Sequence, residues 1–214
     1  YIHYRKGGLV MYALKDYIGE RTVNRALKKF INDFQYRSQP YAVSTDLISY
    51  LLEESSDEFH HLIEDLFQRI TIYETEMLAA HITQLAEGNY KVVLELSVKK
   101  YYEDAIGNQS ESQFDIPVDI GLFLTSPDHP QFSKNDVLYI EKHQVSSGYN
   151  RIELTLNEMP KIAGIDPYTK LIDRDITDNL IEIKDKMQHR KSTDTARNTQ
   201  SASLLPLHVA GFLR

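Results

Sequence analysis

At Phe67 the apolar residues of this chain change period, and that one switch limits it to an α+β fold: a helical first part followed by a part made of strands. Before the switch the clearest run is Val23, Ala26, Leu27, Phe30, Ile31 and Phe34. It follows i, i+3, i+4, i+7, i+8 and puts one apolar stripe on a core, while Lys28, Lys29 and Asp33 fall mostly on the opposite face. An earlier helix carries Leu9, Tyr12, Ala13 and Tyr17 and is expected to stop at Gly19, a residue suited to the turn after a helix end. Two more helices follow the break at Gln39-Pro40. Ser44 or Thr45 is placed to cap the first, which would bury Leu47, Ile48 and Leu51. Ser55-Ser56-Asp57-Glu58 is a capping-box pattern ahead of Phe59, Leu62, Ile63, Leu66 and Phe67.

After Phe67 the pattern alternates. Segments 69–73, 77–85 and 90–98 read as strands, with Glu87-Gly88-Asn89 where a hairpin turn is needed. Segments 114–118, 120–124, 137–145 and 151–156 add four more, while 104–112 and 125–136 read as polar loops. About seven short strands separated by turn residues predict an immunoglobulin-like β-sandwich. Segment 159–179, with Pro160, Gly164 and Pro167 among apolar residues, is expected to lie over it as irregular chain. Residues 184–214 break with everything before them: six Lys or Arg against two Asp or Glu, rich in Ser, Thr and Gln, without a period, which predicts a disordered tail. The expected organisation is therefore a helical part over 1–67, a sandwich over 68–183 and a tail over 184–214.

Composition bounds the chemistry. A net charge of −7 argues against a nucleic-acid partner. The absence of cysteine removes disulfides, thiolate nucleophiles and Cys-based zinc sites together. The opening Tyr1-Ile2-His3-Tyr4-Arg5-Lys6 is neither a signal peptide nor a membrane anchor, and it reads as the middle of a longer protein. The closing apolar run Leu204 to Leu213 is too short to span a bilayer.

Tyr4-Arg5-Lys6-Gly7-Gly8-Leu9-Val10-Met11-Tyr12-Ala13-Leu14 resembles the Tyr-x-Lys-Gly stretch that opens a helix in the aminopeptidase N-like zinc peptidases, or gluzincins. Gly19-Glu20, the helix from Val23 to Phe34 and the later Asp46-Leu47 helix occur in the order in which such enzymes finish their catalytic domain. The string Ala163-Gly164-Ile165-Asp166-Pro167-Tyr168-Thr169-Lys170-Leu171-Ile172-Asp173-Arg174 resembles the end of bacterial members, including some fused to membrane transporter permeases. The likeness covers roughly residues 4–183.

The resemblance implies a role for Tyr4. In the family, the Tyr of this motif donates its phenol to the oxyanion formed when activated water attacks the scissile carbonyl. A preorganised donor of that kind contributes roughly 3 to 4 kcal/mol. Two His ligands and a general-base Glu from an H-E-x-x-H helix, with a further Glu, would complete the zinc site. That motif does not occur in this sequence. In the family it precedes the Tyr-x-Lys-Gly stretch, so the implied partners are a missing amino-terminal catalytic segment and the peptide substrate, and this chain alone is expected to be inactive. The parent protein is expected to be a zinc aminopeptidase cutting amino-terminal peptide bonds.

Other candidates have plainer readings. His60, His61 and Glu64 have a spacing that two metal ligands on one helix face could use, but they flank a buried face set by Phe59, Leu62 and Ile63. His81, His129 and His143 lack a second ligand at a useful spacing. Asp166, Asp173, Arg174 and Asp175 read as caps and exposed ion pairs. Tyr101-Tyr102 on a sandwich could offer a sugar platform, though aromatic strand residues mostly serve cross-strand packing. The reading from a different class is a noncatalytic β-sandwich interaction module with helices attached.

Overall fold

The structure, a computed structural model, describes residues 2–183, with the backbone alone for residues 2–5 and 87; the tail predicted over 184–214 lies outside the described residues. Four helices come first: α1 (Ile2–Ile18), α2 (Glu20–Phe34), α3 (Ser44–Glu54) and α4 (His60–Phe67). Eight strands follow: β1 (Ile70–Gln84), β2 (Tyr90–Glu103), β3 (Gln109–Ser112), β4 (Val118–Phe123), β5 (Val137–His143), β6 (Gly148–Leu156), β7 (Ile162–Ile165) and β8 (Leu180–Glu182). The fold is α+β.

One residue both ends α1 and begins α2. Gly19 has φ of 87°, a left-handed conformation that glycine adopts without a Cβ penalty. Its N–H donates to Lys15 O at 3.1 Å, and its own carbonyl accepts the Val23 N–H at 3.2 Å. Along α2 only Val23 and Ala26 are buried, and Ile31 of the predicted stripe is 53% exposed, because the described chain covers this helix only on the side facing α1 and α3. The start of α3 differs from expectation. Val43 is the N-cap, and the Asp46 carboxylate reaches back to accept its N–H at 2.9 Å, so neither Ser44 nor Thr45 caps the helix. Ser55 ends α3, and the Ser56 hydroxyl donates to the Glu58 carboxylate at 3.0 Å, so the expected capping box gives way to a single turn of 3-10 helix over Asp57–Phe59.

The strands form two four-stranded antiparallel sheets. In one, β2 is central, with β1 along one edge and β3 and β6 along the other; the second has the order β5-β4-β7-β8. The two strands expected over 69–73 and 77–85 are one continuous strand, β1, with a bulge at Leu78. The bulge keeps the faces in step. Thr71, Tyr73, Thr75 and Met77 point inward before it and Ala80 and Ile82 after it, so that Thr75, Met77, Ala80 and Ile82 stand opposite the inward Val98, Leu96, Leu94 and Val92 of β2. The hairpin falls where predicted, closed by the Leu85 N–H on Asn89 O at 2.8 Å.

Two segments expected to be irregular pair as strands. The polar loop over 104–112 contains β3, which pairs with the end of β2 from Lys100↔Ser112 to Glu103↔Gln109. Segment 159–179 contains β7, where Gly164 pairs with Gly121 of β4. A Cβ on Gly121 would fall 2.3 Å from Cζ of the buried Phe123 ring, a close approach that favours glycine there, while one on Gly164 would fall 2.5 Å from Leu180 Cδ2 and would require that side chain to move. Only Val118 of the strand expected over 114–118 is in regular sheet.

The buried apolar side chains other than Phe123 form one cluster. It runs from Val10, Ala13 and Leu14 of α1 through Leu62 and Ile63 of α4 to Leu94 and Leu96 of β2 and Ile120 and Leu122 of β4. β4 is buried on both faces.

Candidate functional site

α1 carries the candidate site. Tyr4 lies near its beginning, and the side chain of Tyr4 is outside the described residues. The helical register puts position 4 in line with Gly8 and Tyr12 at i+4 and i+8. Within the described residues the part of that line occupied by Gly8 and Tyr12 is uncovered. Ideal Cβ positions built on Gly7 and Gly8 meet nothing within 4 Å, and Tyr12 is 48% exposed. The opposite face, with Val10, Ala13, Leu14 and Tyr17, is buried in the core. Glycines inside a helix cost roughly 1 kcal/mol each relative to alanine. Here none of that cost is offset by close packing within the described residues.

The other end of α1 is fixed by a cluster of charges. Asp16 pairs with Lys170 at 2.7 Å and with Lys142, and both lysines also hold Asp119 of β4, Lys170 at 2.6 Å and Lys142 at 3.1 Å. Burial would raise the Asp16 pKa, but the hydrogen bonds and charges of Lys142 and Lys170 prevail and hold it below the ordinary carboxylate range. The Lys142 ammonium also stands 4.3 Å over the ring of Tyr17. Twelve residues of helix separate Tyr4 from Asp16, a rise of about 18 Å. The cluster therefore positions the helix without reaching the site.

A second buried cluster seats α4. Lys100 of β2, 1% exposed, donates to Asp65 at 3.1 Å and to Asp115 at 2.7 Å. Burial alone would lower its pKa, yet the two carboxylates, Asp115 by hydrogen bond and Asp65 by charge, hold the ammonium above its ordinary value. Neither cluster is signalled in the sequence. Asp16, Asp119 and Lys142 come from α1, β4 and β5 and Lys170 from the segment after β7, and no local spacing joins them. Only Lys170 falls in a string that the family resemblance singles out.

The remaining candidates are accounted for by local structure. The His60 ring nitrogen Nε2 lies 3.0 Å from Leu52 O, and His61 Nε2 is 3.7 Å from Asp115. Glu64 faces Arg69 at 3.5 Å, so the three do not converge. His81 is exposed, His129 Nδ1 accepts the Gln131 N–H at 3.2 Å, and His143 shares a 2.7 Å hydrogen bond with the Tyr139 hydroxyl. The Asp166 carboxylate accepts the N–H groups of Lys170 at 3.0 Å and Leu171 at 2.9 Å, closing a turn. Asp173 accepts the Thr75 N–H at 3.0 Å and the Asp175 N–H at 3.1 Å, and Arg174 pairs with Glu74. The rings of Tyr101 and Tyr102 are covered by Arg174 and Arg69, at 5.3 and 4.6 Å, and present no open platform. Among the described residues no group of three or more His, Asp or Glu side chains is placed to hold a metal ion. No helix among them is long and apolar enough to cross a membrane.

No family model matches this chain, and no curated protein matches it.

Proposed function

We propose that this chain is the carboxy-terminal part of a zinc-dependent aminopeptidase of the aminopeptidase N-like family, with Tyr4 as the donor to the oxyanion of the hydrolysed amino-terminal peptide bond. The observation that carries the reading is the run Tyr4-Arg5-Lys6-Gly7-Gly8 at the start of a long helix whose line through Gly8 and Tyr12 is uncovered. Such a face leaves room for the part of a catalytic domain that would bring the H-E-x-x-H ligands. The bound zinc would supply Lewis acidity and an activated water. This chain's contribution is a phenol on a helix whose other end is held by Asp16, Lys142, Lys170 and Asp119. In this reading the helices are the end of the catalytic domain and the two sheets are an immunoglobulin-like sandwich that braces it.

The test is zinc content and hydrolysis of an amino-acid anilide by this chain, and by a form extended upstream through an H-E-x-x-H segment. Activity and bound zinc are expected only in the extended form. Tyr4→Phe should lower kcat by roughly two to three orders of magnitude without loss of zinc, the cost of one oxyanion donor. Zinc-dependent activity in the short chain would overturn the division of labour. Inactivity of both would favour a noncatalytic β-sandwich interaction module.

A further inference from the structure

The two halves of β1 differ along the edge facing away from β2. The first half is covered by segment 172–178. The Tyr73 N–H donates to Ile172 O at 3.0 Å, the Arg174 N–H to Tyr73 O at 2.9 Å and the Met77 N–H to Asp178 O at 3.0 Å. Past the bulge at Leu78 this cover ends. Among the described residues no segment but β2 pairs with Leu78–Gln84.

That open stretch, Leu78-Ala79-Ala80-His81-Ile82-Thr83-Gln84, contains no Asp, Glu, Lys or Arg. Leu78 at its start and Leu85 just beyond it are 44% and 40% exposed. A groove of about 690 Å³ lies beside it, lined by Ile82, Leu85, Tyr90 and Met159 among others. Proteins normally blunt an exposed strand edge with charge, proline or cover, because its unpaired N–H and C=O groups are a template for another strand. The opposite edge of the same sheet follows that rule, since β6 carries Arg151 and Glu153, paired at 2.8 Å.

We infer that the Leu78–Gln84 edge pairs with the same edge of a second copy of this chain, the two strands running antiparallel about a two-fold axis perpendicular to the sheet at His81. This register preserves the faces: Ala80 of one copy stands opposite Ile82 of the other on the inward side, and the two His81 side chains stand opposite each other on the solvent side. A second copy suits this edge because the segment is self-complementary. It brings no like charges together, it joins two apolar inward faces into one sheet, and a two-fold contact uses the same patch twice. The edge offers no charge by which a foreign strand would be selected. Seven paired residues bury less than the roughly 1,200 Å² of a stable interface, so the dimer is weak and concentration-dependent.

The inference does not depend on the aminopeptidase reading. Sedimentation equilibrium of the full chain, with His81→Lys and His81→Glu, tests it. Wild type should dimerise with rising concentration. Each variant places like charges opposite each other and should weaken dimerisation at least about tenfold, and an equimolar mixture of the two should restore it. Thr83→Lys, a second solvent-facing edge charge, should also weaken it, and serves if a His81 variant fails to fold. A wild-type chain that stays monomeric up to millimolar concentration would overturn the proposal. So would association that edge charges leave unchanged, as contact through the helices or through residues 184–214 would produce, or a failure of the mixture to restore the dimer.

Discussion

Tyr17 donates its hydroxyl to the carbonyl oxygen of Pro117 across 2.8 Å, joining the last turn of α1 to the residue that precedes β4. Burial, and then the negative charges of Asp166, Asp119 and Asp16, push this phenol well above its ordinary range, which favours the protonated, donating form. Tyr17→Phe would keep the ring beneath Lys142 and remove only the donor. Leaving a part-buried carbonyl unpaired should cost about 1–2 kcal/mol. In urea the unfolding midpoint should fall with the m-value unchanged, and an unchanged midpoint would mean that water replaces the phenol.

Lys100 and Asp65 form the most buried ion pair described, at 1% and 2% side-chain exposure. Removing the cation alone, in Lys100→Met, strands Asp65 and leaves the partly exposed Asp115 with only His61 nearby, at 3.7 Å. The expected loss is about 3–5 kcal/mol, as for other broken buried pairs. Adding Asp65→Leu should recover part of it, because a buried pair exchanged whole for apolar side chains is often neutral. Chemical denaturation of the two single variants and the double variant gives the coupling energy. Additive losses would show that the two residues act independently.

Much of this fold can be read from the sequence, and the readable parts share a cause. Val23 with Ala26 on α2 and Val92, Leu94, Leu96 and Val98 on β2 announce their elements because one face of each is buried, and burial imposes a period. β3 has no such face: Gln109-Ser110-Glu111-Ser112 pairs with β2 through its backbone and a Gln109–Glu103 side-chain hydrogen bond, all polar, and leaves no trace in hydropathy. β7 is hidden by Gly164, which reads as a turn residue but sits where a Cβ would fall against Leu180. The Tyr4 motif is local and visible. The charges that fix its helix are not, because Asp16 meets Lys170 only after the intervening chain has folded.

Stability should depend on pH through Asp166. This carboxyl is 2% exposed, and burial raises its pKa from 3.8 to about 7, against the opposing backbone hydrogen bonds from Leu171 and Lys170. The folded state then binds the proton more tightly than the unfolded state. The contribution is full below about pH 4 and is lost as the pH rises through 7, up to roughly 4 kcal/mol for a shift of this size. Asp166→Asn removes the titration and fits the backbone, because φ at this position is 40° and Asn tolerates that region. Unfolding free energies from pH 4 to pH 8 should show wild type falling relative to Asp166→Asn. Parallel curves would mean that Asp166 is ionised throughout.

Leu78 is the one residue of β1 without a partner in the ladder, since Met77 pairs with Leu96 and Ala79 with Glu95. Deleting it should therefore be tolerated: Met77 stays inward, Ala79 follows outward, and Ala80 and Ile82 keep their places over Leu94 and Val92. Deleting Thr75 is different. The bulge at Leu78 can take up the missing residue only from Leu78 onward, so between the two positions Glu76 turns inward and Met77 turns to solvent, and a charge is set against the core. Thermal melts followed by near-ultraviolet circular dichroism should show a cooperative transition for the Leu78 deletion, and a lost or much lowered one for the Thr75 deletion. Equal damage from both would mean that the kink at Leu78, and not the in-step faces on either side of it, is what the fold requires.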